Sequence, residues 1–260
     1  MKCLVVVACA ALASGCHLVF ELDETPCPTS DGDAHDEDLD RCGDTVDNCP
    51  GIANPDQRDG DADTVGDVCD PQPTVFGNAE LLFVSFSGGS SGWDRWGFAW
   101  GFRSDALHAD ALAASPYPTI TWDEPITPGF QVQGRVTLDQ VDTARNYSFS
   151  ILGNKRSNGD TAQCSLGHYV GLDDTMFASK SGSYRDDASL ADLEFAAGAI
   201  LTFRAAFRPQ AIDCQVTDQH GVVAEAVHDS APILDAGEFG FDLSYVVLHL
   251  DHVAVYSVVE

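Results

Sequence analysis

Apolar and polar residues alternate along most of the C-terminal two thirds of the chain, the pattern of β-strands that bury one face. In FQVQGRVTLD (130–139), apolar or glycine residues occupy the even positions and polar residues the odd ones. In ILTFRAAFR (200–208), Leu201, Phe203 and Phe207 share one face. Many short strands of this kind, separated by Gly, Asn and Asp, predict an all-β antiparallel sandwich. Further candidate strands are residues 79–86, 147–153, 164–172, 212–217 and 245–258.

Two stretches have helical spacing instead, DALHADALAA (105–114) and SLADLEFAAG (189–198), and we expect any helices to be confined to them. Two other stretches, GRVTLDQVDTARNYSFSIL (134–152) and GFDLSYVVLHLDHVAVYSV (240–258), resemble parts of the concanavalin-A-like jelly roll. That sandwich is shared by laminin-G-like domains and glucanases. The resemblance implies an antiparallel jelly roll over residues 74–260.

The segment before this domain has a different composition. Residues 17–75 hold 17 acidic residues against two basic ones, Arg41 and Arg58, and hardly a bulky apolar side chain follows Leu22. A disordered acidic linker is one interpretation, because such a composition offers too little apolar surface for a core. The tripeptide PQP at 71–73 marks the end of the segment.

The aspartates of this segment repeat in register, which a solvated run of charge would not require. Two twelve-residue windows, 36–47 and 59–70, carry Asp at positions 1, 3, 5, 9 and 12. Ca²⁺ takes about 6–8 oxygen ligands, and alternate residues of a tightly curled loop point their carboxylates at one centre. The candidate calcium ligands are Asp36, Asp38, Asp40, Asp44, Asp47, Asp59, Asp61, Asp63, Asp67 and Asp70.

The flanks of the windows distinguish them from EF-hands, whose loops end in Glu and lie between helices. Here Pro, Gly and Cys flank both windows, so helices are not expected. The phrases DNCP (47–50), NPDQ (54–57), Asp-x-Asp-x-Asp and GDVCD (66–70) resemble the thrombospondin type 3 repeat, in that family's order, over residues 31–70. The resemblance implies a chain wrapped around calcium ions with little secondary structure, and disulfides between successive loops. Under it the ten aspartates are ligands, with Asn54 a weaker addition.

The windows depart from that family at their sixth position, where Gly is usual. Arg41 and Thr64 stand there, and a residue with a Cβ makes the turn only with a negative φ or with strain. The first window also has Leu39 at its fourth position. We therefore expect the second window, which contains Gly66, to bind calcium more tightly.

Without a cation the crowded carboxylates would keep this segment open. Two of them about 4 Å apart repel by about 1 kcal/mol even in water. A dication reverses the sign of the interaction, so metal binding would supply folding free energy to a segment that has no core.

The N-terminus MKCLVVVACAALASGC (1–16) has the order of an export signal: one Lys, an apolar run, and small residues before Cys16. The tetrapeptide ASGC (13–16) resembles the lipobox of bacterial lipoproteins, which implies cleavage before Cys16 and acylation of that residue. Within that family, His17 after the Cys points to the outer membrane. An ordinary signal peptide, cut nearby, is the alternative.

Export to an oxidising compartment changes how the cysteines are interpreted. Cys3 and Cys9 would leave with the signal, so six cysteines remain beyond Cys16, an even number that suits three disulfides. Fifteen connectivities are possible, and candidate strands that carry Cys164 and Cys214 could be neighbours. Zinc binding by the cysteines is disfavoured, because the chain lacks Cys-x-x-Cys and paired His spacings. The candidate disulfide residues are Cys27, Cys42, Cys49, Cys69, Cys164 and Cys214.

Catalytic motifs give no support for an enzyme. Jelly-roll glucanases carry a Glu-x-Asp-x-x-Glu strand that supplies nucleophile and acid/base, and the chain has no such spacing. GGSSG (88–92) fits a Gly-x-Ser-x-Gly elbow, but a strand-like run follows it where that elbow needs a helix. His249 and His252 could sit together, although positions on a strand account for both.

Aromatic residues offer candidate ligand contacts. The run WGFAWGF (96–102) would place four aromatic side chains on one face of a strand. Sugar-binding sandwiches stack pyranose rings on such faces, but burial in the core is favoured, because aromatic side chains bury large areas. Trp93 and Trp122 lie beside loop residues, and we expect them to be exposed and available to a ligand.

The charge balance restricts the partners. With 13 Lys and Arg against 41 Asp and Glu, the net charge of −28 argues against nucleic acid, whose phosphates require a basic surface. No later apolar run is long enough to cross a bilayer, so membrane attachment would rest on lipid alone.

The sequence thus predicts an exported, lipid-anchored bacterial surface protein, in which a calcium-stiffened spacer presents a recognition or adhesion domain to a glycan or protein ligand. A polysaccharide-acting enzyme and a purely structural envelope protein are the alternatives. The predicted segments are a signal peptide (1–15), a tether (16–30), calcium-binding repeats (31–73) and the jelly roll (74–260).

Overall fold

The computed structural model describes residue 27 and residues 35–87, 91–96, 99–112, 118–155, 161–180, 186–190, 192–229 and 235–259. The predicted signal peptide and Cys16 lie outside the described residues. Within them, no helix is long and apolar enough to cross a membrane. The chain divides into two compact units between Arg58 and Asp59. The second aspartate window, residues 59–70, therefore falls in the unit that contains the sandwich, whereas the sequence predicted the boundary after residue 73.

Fifteen strands in two antiparallel sheets form the second unit over its described residues, and the jelly-roll prediction is confirmed. The strands are β1 (Glu80–Val84), β2 (Trp93–Trp96), β3 (Trp100–Arg103), β4 (Ala106–Asp110), β5 (Thr119–Trp122), β6 (Phe130–Val141), β7 (Tyr147–Lys155), β8 (Ala162–His168), β9 (Thr175–Lys180), β10 (Asp186–Ser189), β11 (Ile200–Phe207), β12 (Ile212–Asp218), β13 (Val223–His228), β14 (Glu238–Ser244) and β15 (Val246–Ser257).

The larger sheet has eight strands in the order β13-β12-β11-β6-β15-β4-β3, and β1 pairs with β15. The smaller sheet has seven strands in the order β10-β9-β8-β7-β14-β5-β2. The long strand β15 lies at the centre of the larger sheet, where it pairs with β6 along its whole length and with β4 and β1 on its other edge. By contrast, residues 35–79 form turns and bends without helix or strand.

The core lies between the two sheets and follows the predicted alternation. Phe203 of the larger sheet packs against Phe149 and Phe241 of the smaller sheet, with ring centroids 5.9 Å apart in each pair. All three side chains are buried. Full burial of a side chain of this size stabilises the fold by about 1.5–3 kcal/mol.

A disulfide connects the sheets. Cys164 on β8 is bonded to Cys214 on β12, with Cα atoms 5.6 Å apart. The sequence predicted this pairing between neighbouring strands, and the structure shows that it crosses from one sheet to the other. Cys27 and Cys42 form a second bridge, in the first unit. Cys49 and Cys69 each belong to a disulfide as well.

The two predicted helices are wrong. Residues Ala106–Asp110 form β4, because Leu107, Ala109 and Ala111 also fit a period of two and all three are buried. In the second stretch, Leu190 and residues 192–198 form turns and irregular chain among the described positions. Pairing with neighbouring strands decides between the two periods in β4, and a single sequence does not display that pairing.

The predicted aromatic strand over 96–102 is also wrong. Trp96 ends β2 in the smaller sheet and Trp100 begins β3 in the larger one, while residues 97–98 lie outside the described part. Trp100 is buried and Phe102 packs against the core, so the core interpretation is confirmed for these two.

The exposure predicted for Trp93 is wrong as well. Trp93 is only 7% exposed, and its ring packs edge-on against Phe239 at 5.5 Å. Its position on β2, paired with Trp122 of β5, turns the indole into the core. Trp122 itself is half-buried, and its ring covers Gly92, where a Cβ would come within 2.5 Å of the ring.

Removing the bridge between the sheets should destabilise the sandwich. Cys164 and Cys214 are separated by 50 residues, and the chain-entropy model assigns about 4 kcal/mol to a loop of this size. We expect the Cys164→Ala/Cys214→Ala variant to unfold at a clearly lower denaturant concentration, followed by the fluorescence of the buried tryptophans. The Cys27→Ala/Cys42→Ala variant is the matched control, because its bridge lies in the first unit. Equal loss in both variants would contradict this role.

Candidate functional site

The first aspartate window gathers carboxylates in the first unit. Asp36, Asp38 and Asp40 each bring one oxygen within 4.8 Å of the others. Oxygens on opposite sides of a calcium ion, with Ca–O distances of about 2.3–2.6 Å, lie about 5 Å apart. The spacing of the three carboxylates therefore fits the coordination sphere of Ca²⁺.

The second window repeats this arrangement with Asp59, Asp61 and Asp63, again within 4.8 Å. Both side-chain oxygens of Asp61 and Oδ2 of Asp38 are buried without a hydrogen bond of normal geometry. A buried carboxylate oxygen without a partner costs free energy unless a cation compensates it. These two aspartates are the central members of their triads.

Several hydrogen bonds occupy the same positions in the two windows. The first aspartate accepts from the amide five residues later, Asp36 from Arg41 and Asp59 from Thr64, at 2.9 Å in both windows. The ninth-position aspartate of each window accepts from the amide of the second residue, at 2.9 and 2.8 Å. The repeat in sequence is therefore a repeat in structure.

The backbone repeats as well, at the fourth and sixth positions of each window. Leu39 and Ala62, at the fourth position, have φ of 64° and 67°. Arg41 and Thr64, at the sixth, have φ of 84° and 83°. Left-handed backbone in residues with a Cβ costs about 1–3 kcal/mol each, so both windows hold strain at matched positions. At the sixth position the chain therefore adopts a strained positive φ and not the negative φ that would avoid the strain.

The electrostatics of the windows favour a cation. Burial, followed by the neighbouring charges of Asp40 and Asp47, raises the pKa of Asp38 to about 7. Burial and then the charges of Asp63 and Asp61 raise the pKa of Asp70 to about 6. Without metal, Asp38 is therefore only partly ionised near neutral pH, and Asp70 loses its charge as the pH falls through about 6.

The second window is hydrogen-bonded to the sandwich within their common unit. Oδ2 of Asp63 accepts from the amide of Asn78 at 2.7 Å, and the Asn78 amide group donates to the Ser257 carbonyl on β15 at 3.0 Å. The guanidinium of Arg204 on β11 donates to the Val68 carbonyl at 2.7 Å. This window is thus a part of the jelly-roll unit and not a separate spacer.

A groove of about 750 Å³ lies on the outer face of the smaller sheet. The strands β7, β8 and β14 supply its floor with the side chains that alternate with their core residues. Residues of the flanking turns, together with Phe177 of β9, form its rim. The floor residues are Ser148, Ser150, Gln163, Ser165, Asp242 and Ser244, and Arg145, Asn146, Tyr169, Val170, Phe177 and Tyr245 surround them.

A chain of hydrogen bonds crosses the floor of the groove. The Ser165 hydroxyl donates to Oγ of Ser150 at 2.8 Å, and the Ser150 side chain is hydrogen-bonded to the Asp242 carboxylate. Burial raises the pKa of Asp242, while the bond from Ser150 and the charge of Lys155 oppose that rise. The chain fixes the direction of each hydroxyl, so a ligand would meet an ordered polar surface.

Two tyrosines border the groove in fixed positions. The Tyr169 ring lies over Gly167, where a Cβ would come within 2.9 Å of the ring. The Arg145 guanidinium lies 4.7 Å from the centroid of the Tyr245 ring, the geometry of a cation–π contact. Tyr245 has φ of 51°, and strained backbone of this kind is concentrated at binding sites.

The groove lining contains a single carboxylate among the described residues, that of Asp242. Glycosidases use two carboxyl groups about 5–10 Å apart, one as acid and the other as base or nucleophile. The ordered hydroxyls and amides of this groove are suited to hydrogen bonding with a neutral polar ligand.

The sequence-predicted aromatic contacts lie away from this groove. Trp93 is in the core, and Trp122 borders a separate hollow of about 530 Å³ with Pro125 and Pro128. Contact of Trp122 with a ligand stays a prediction. The Gly-Ser stretch 88–92 lies partly outside the described residues. His252 is buried against Phe83, as expected of a residue on a strand.

Comparisons with known proteins support the fold. No family model and no curated protein matches the chain, so the thrombospondin type 3 resemblance stays a prediction. Solved structures do match. Peanut lectin, solved with a 9-residue peptide, has a TM-score of 0.54 and 11% identity, over 70% of this chain and 97% of the lectin.

Two further structures share the architecture. A lectin from Bauhinia forficata in complex with GalNAc has a TM-score of 0.54 and 11% identity, over 69% of this chain and 98% of the lectin. A β-glucanase from Bacillus licheniformis has a TM-score of 0.51 and 11% identity, with the same coverage of 69% and 98%. Identities this low establish a shared jelly roll and nothing about the ligand.

Relief of the backbone strain at Thr64, the sixth residue of the second window, should stabilise the protein. Gly adopts left-handed backbone without the Cβ penalty, so Thr64→Gly should raise the free energy of unfolding by about 1 kcal/mol, as measured by chemical denaturation. Thr74→Gly is the matched control in the same segment. Thr74 does not have a positive φ, so glycine there adds only unfolded-state entropy and should lower stability. A lower stability for both variants would contradict strain at Thr64.

Proposed function

We propose that this protein binds carbohydrate, and that the groove on the outer face of the smaller sheet holds the sugar. The observation that carries the proposal is the composition of the groove, in which ordered polar side chains lie between two tyrosines. A sugar offers hydroxyls that donate and accept hydrogen bonds around the rim of each ring, and an apolar face of C–H groups. The floor satisfies the hydroxyls and the tyrosines provide flat surfaces for the ring.

Several residues have defined parts in this proposal. Gln163 offers both a donor and an acceptor, and Asp242 accepts from sugar hydroxyls through oxygens that are already partly desolvated. Tyr169 and Tyr245 provide the stacking surfaces. Arg145 is held against Tyr245, so its guanidinium can donate to a ligand at the rim.

Recognition is favoured over hydrolysis for this groove. The lectin neighbours include one with bound GalNAc, and the glucanase neighbour shares the same fold. The single carboxylate of the described lining supports a binding role, because hydrolysis would require a second. An enzyme acting on polysaccharide is the second candidate, and a protein ligand the third.

The aspartate windows complete the proposal as structural calcium sites. Their carboxylate triads, the buried carboxylate oxygens that lack a hydrogen bond of normal geometry, and the strained, duplicated backbone support calcium as the bound ion. Calcium in the second window would stabilise the sandwich through the bonds from Asn78 and Arg204. We further propose export and lipid anchoring at Cys16, which mass spectrometry of the mature N-terminus would test.

Variants of the groove should lose binding without loss of stability. A glycan array screened with the full chain identifies a ligand, and isothermal titration then measures its affinity. We expect Tyr169→Ala and Asp242→Asn each to weaken binding by about tenfold, since one stacking surface or charged acceptor contributes on the order of 1 kcal/mol or more.

Gln215→Ala is the matched control for the groove variants, because Gln215 lies on the outer face of the larger sheet and pairs with Glu225. Its affinity should equal that of the unchanged protein. A reducing-sugar assay runs beside the titration, and release of reducing ends would favour the enzyme alternative. Equal binding by all four proteins would overturn the assignment to this groove.

Calcium should stabilise the sandwich through the second window in particular. We expect a chelator to lower the melting temperature of the sandwich, followed by tryptophan fluorescence. Asp61→Asn should abolish most of this dependence, whereas Asp38→Asn, the equivalent change in the first unit, should preserve it. If the melting temperature of the unchanged protein is the same with and without calcium, a metal role for the second window is contradicted.

A further inference from the structure

Two histidines and one aspartate meet on the outer face of the larger sheet, remote in sequence from the aspartate windows. His108 on β4, Asp139 on β6 and His249 on β15 each offer one ligand atom, and the three atoms lie within 4.8 Å of one another. The sheet order brings them together, because β15 lies between β4 and β6. His249 is the register partner of His108, and their rings are 5.3 Å apart.

Two irregularities in the pairing of β15 with β6 aim carboxylates at His249. The register shifts between Val247 and Leu248, which leaves Asp139 of β6 without an opposite residue. It shifts again between Leu250 and His252, which leaves Asp251 of β15 unopposed. Extra residues of this kind redirect side chains, and they are over-represented next to functional sites.

The resulting distances surround the His249 ring with acceptors. Its Nδ1 lies 3.0 and 3.1 Å from the two oxygens of Asp139. Its Nε2 lies 3.7 Å from Oδ1 of Asp251, whose Oδ2 accepts from Arg135 at 2.5 Å. With neutral imidazoles, the two carboxylates and the guanidinium leave one net negative charge at the cluster, which favours a cation.

The cluster is accessible from solvent. The side chains of His249 and Asp139 are 26% and 35% exposed. Gly101 on β3 is the register partner of His108, and a Cβ built at Gly101 would meet no atom within 4 Å. Space therefore exists beside His108 for water molecules and for the entry of an ion.

We propose that His108, Asp139 and His249 bind a divalent transition-metal ion, with Zn²⁺ as the best match and water in the remaining position. Imidazole nitrogen suits Zn²⁺, Cu²⁺ and Ni²⁺, whereas Ca²⁺ requires oxygen ligands, so this site differs in chemistry from the aspartate windows. The edge of a tetrahedron with zinc bonds of about 2.0–2.1 Å is about 3.3 Å. The separation of His249 Nδ1 from the Asp139 oxygens is within a few tenths of an ångström of that edge.

The bound ion would connect three adjacent strands of the larger sheet. Asp251 and Arg135 lie beyond the three ligands, and Asp251 would orient the His249 ring through its other nitrogen. Carboxylates in this position fix the orientation of the ring and raise the basicity of a ligating imidazole.

Zinc titration of the full, oxidised chain tests the site in excess Ca²⁺, which occupies the aspartate windows. We expect one equivalent of Zn²⁺ to bind, and Co²⁺ in its place to give the visible absorption of a site with nitrogen ligands. His108→Asn and Asp139→Asn should each weaken zinc binding by at least about tenfold. His220→Ala is the matched control, since His220 pairs with Glu194 outside the cluster, and it should bind as the unchanged protein does.

Unfolding curves recorded without metal show whether each variant is folded. Asp139→Asn is nearly isosteric and keeps a hydrogen-bond acceptor for His249, so it decides the question if His108→Asn does not fold. Unchanged zinc affinity in a folded Asp139→Asn variant, or equal losses in the His220→Ala control, would overturn the proposal. Either result would leave His249 and Asp139 as a hydrogen-bonded pair.

Discussion

The two faces of the long strands in this sandwich have different surroundings, and the rest of the structure depends on that constraint. One face enters the shared core, where Phe149, Phe203 and Phe241 join the sheets. Since the core fixes the inner residues, the outer residues are positioned without contributing to it. The groove lies on the outer face of one sheet and the His108–Asp139–His249 cluster on that of the other. A jelly roll thereby separates, along a single strand, the residues that stabilise the core from those that face outward.

This separation explains which parts of the structure the sequence could predict. Strands β6 and β11 are evident from their alternation, because β6 buries its even positions from Phe130 to Leu138 and β11 buries its odd positions from Leu201 to Phe207. Strand β4 is ambiguous, because Ala, the best helix former, occupies two of its five positions, so pairing with β15 decides its conformation. The aspartate windows are local in sequence, and spacing alone indicates their geometry. No local signal shows that Ser150 of β7, Ser165 of β8 and Asp242 of β14 will meet, since their contact depends on long-range strand order.

The acidic segment shows how a sequence repeat can be divided between two structural settings. Both windows have positive φ at the same two positions and share several hydrogen bonds, but only the second shares a compact unit with the sandwich. The carbonyls of Val68 and Cys69 accept from Arg204 and Gln133, so the strands of the larger sheet supply donors that the irregular segment lacks. The strained positions, Leu39, Arg41, Ala62 and Thr64, show that loop closure around the carboxylates outweighs the backbone preference of each residue.

The bond between Cys164 and Cys214 has a mechanical consequence. It ties β8 to β12 on the opposite sheet, and β8 also carries Gln163 and Ser165 into the groove. If tension were applied to the ends of the chain, the 50-residue stretch between the two cysteines could not lengthen, because the covalent link bypasses it. Any extension under load would come from chain outside that stretch. Ser165, Tyr169 and Phe177 of the groove lie within that stretch, whereas Ser150 of β7 and Asp242 of β14 lie outside it. Load on the chain would therefore separate the two parts of the groove lining from each other.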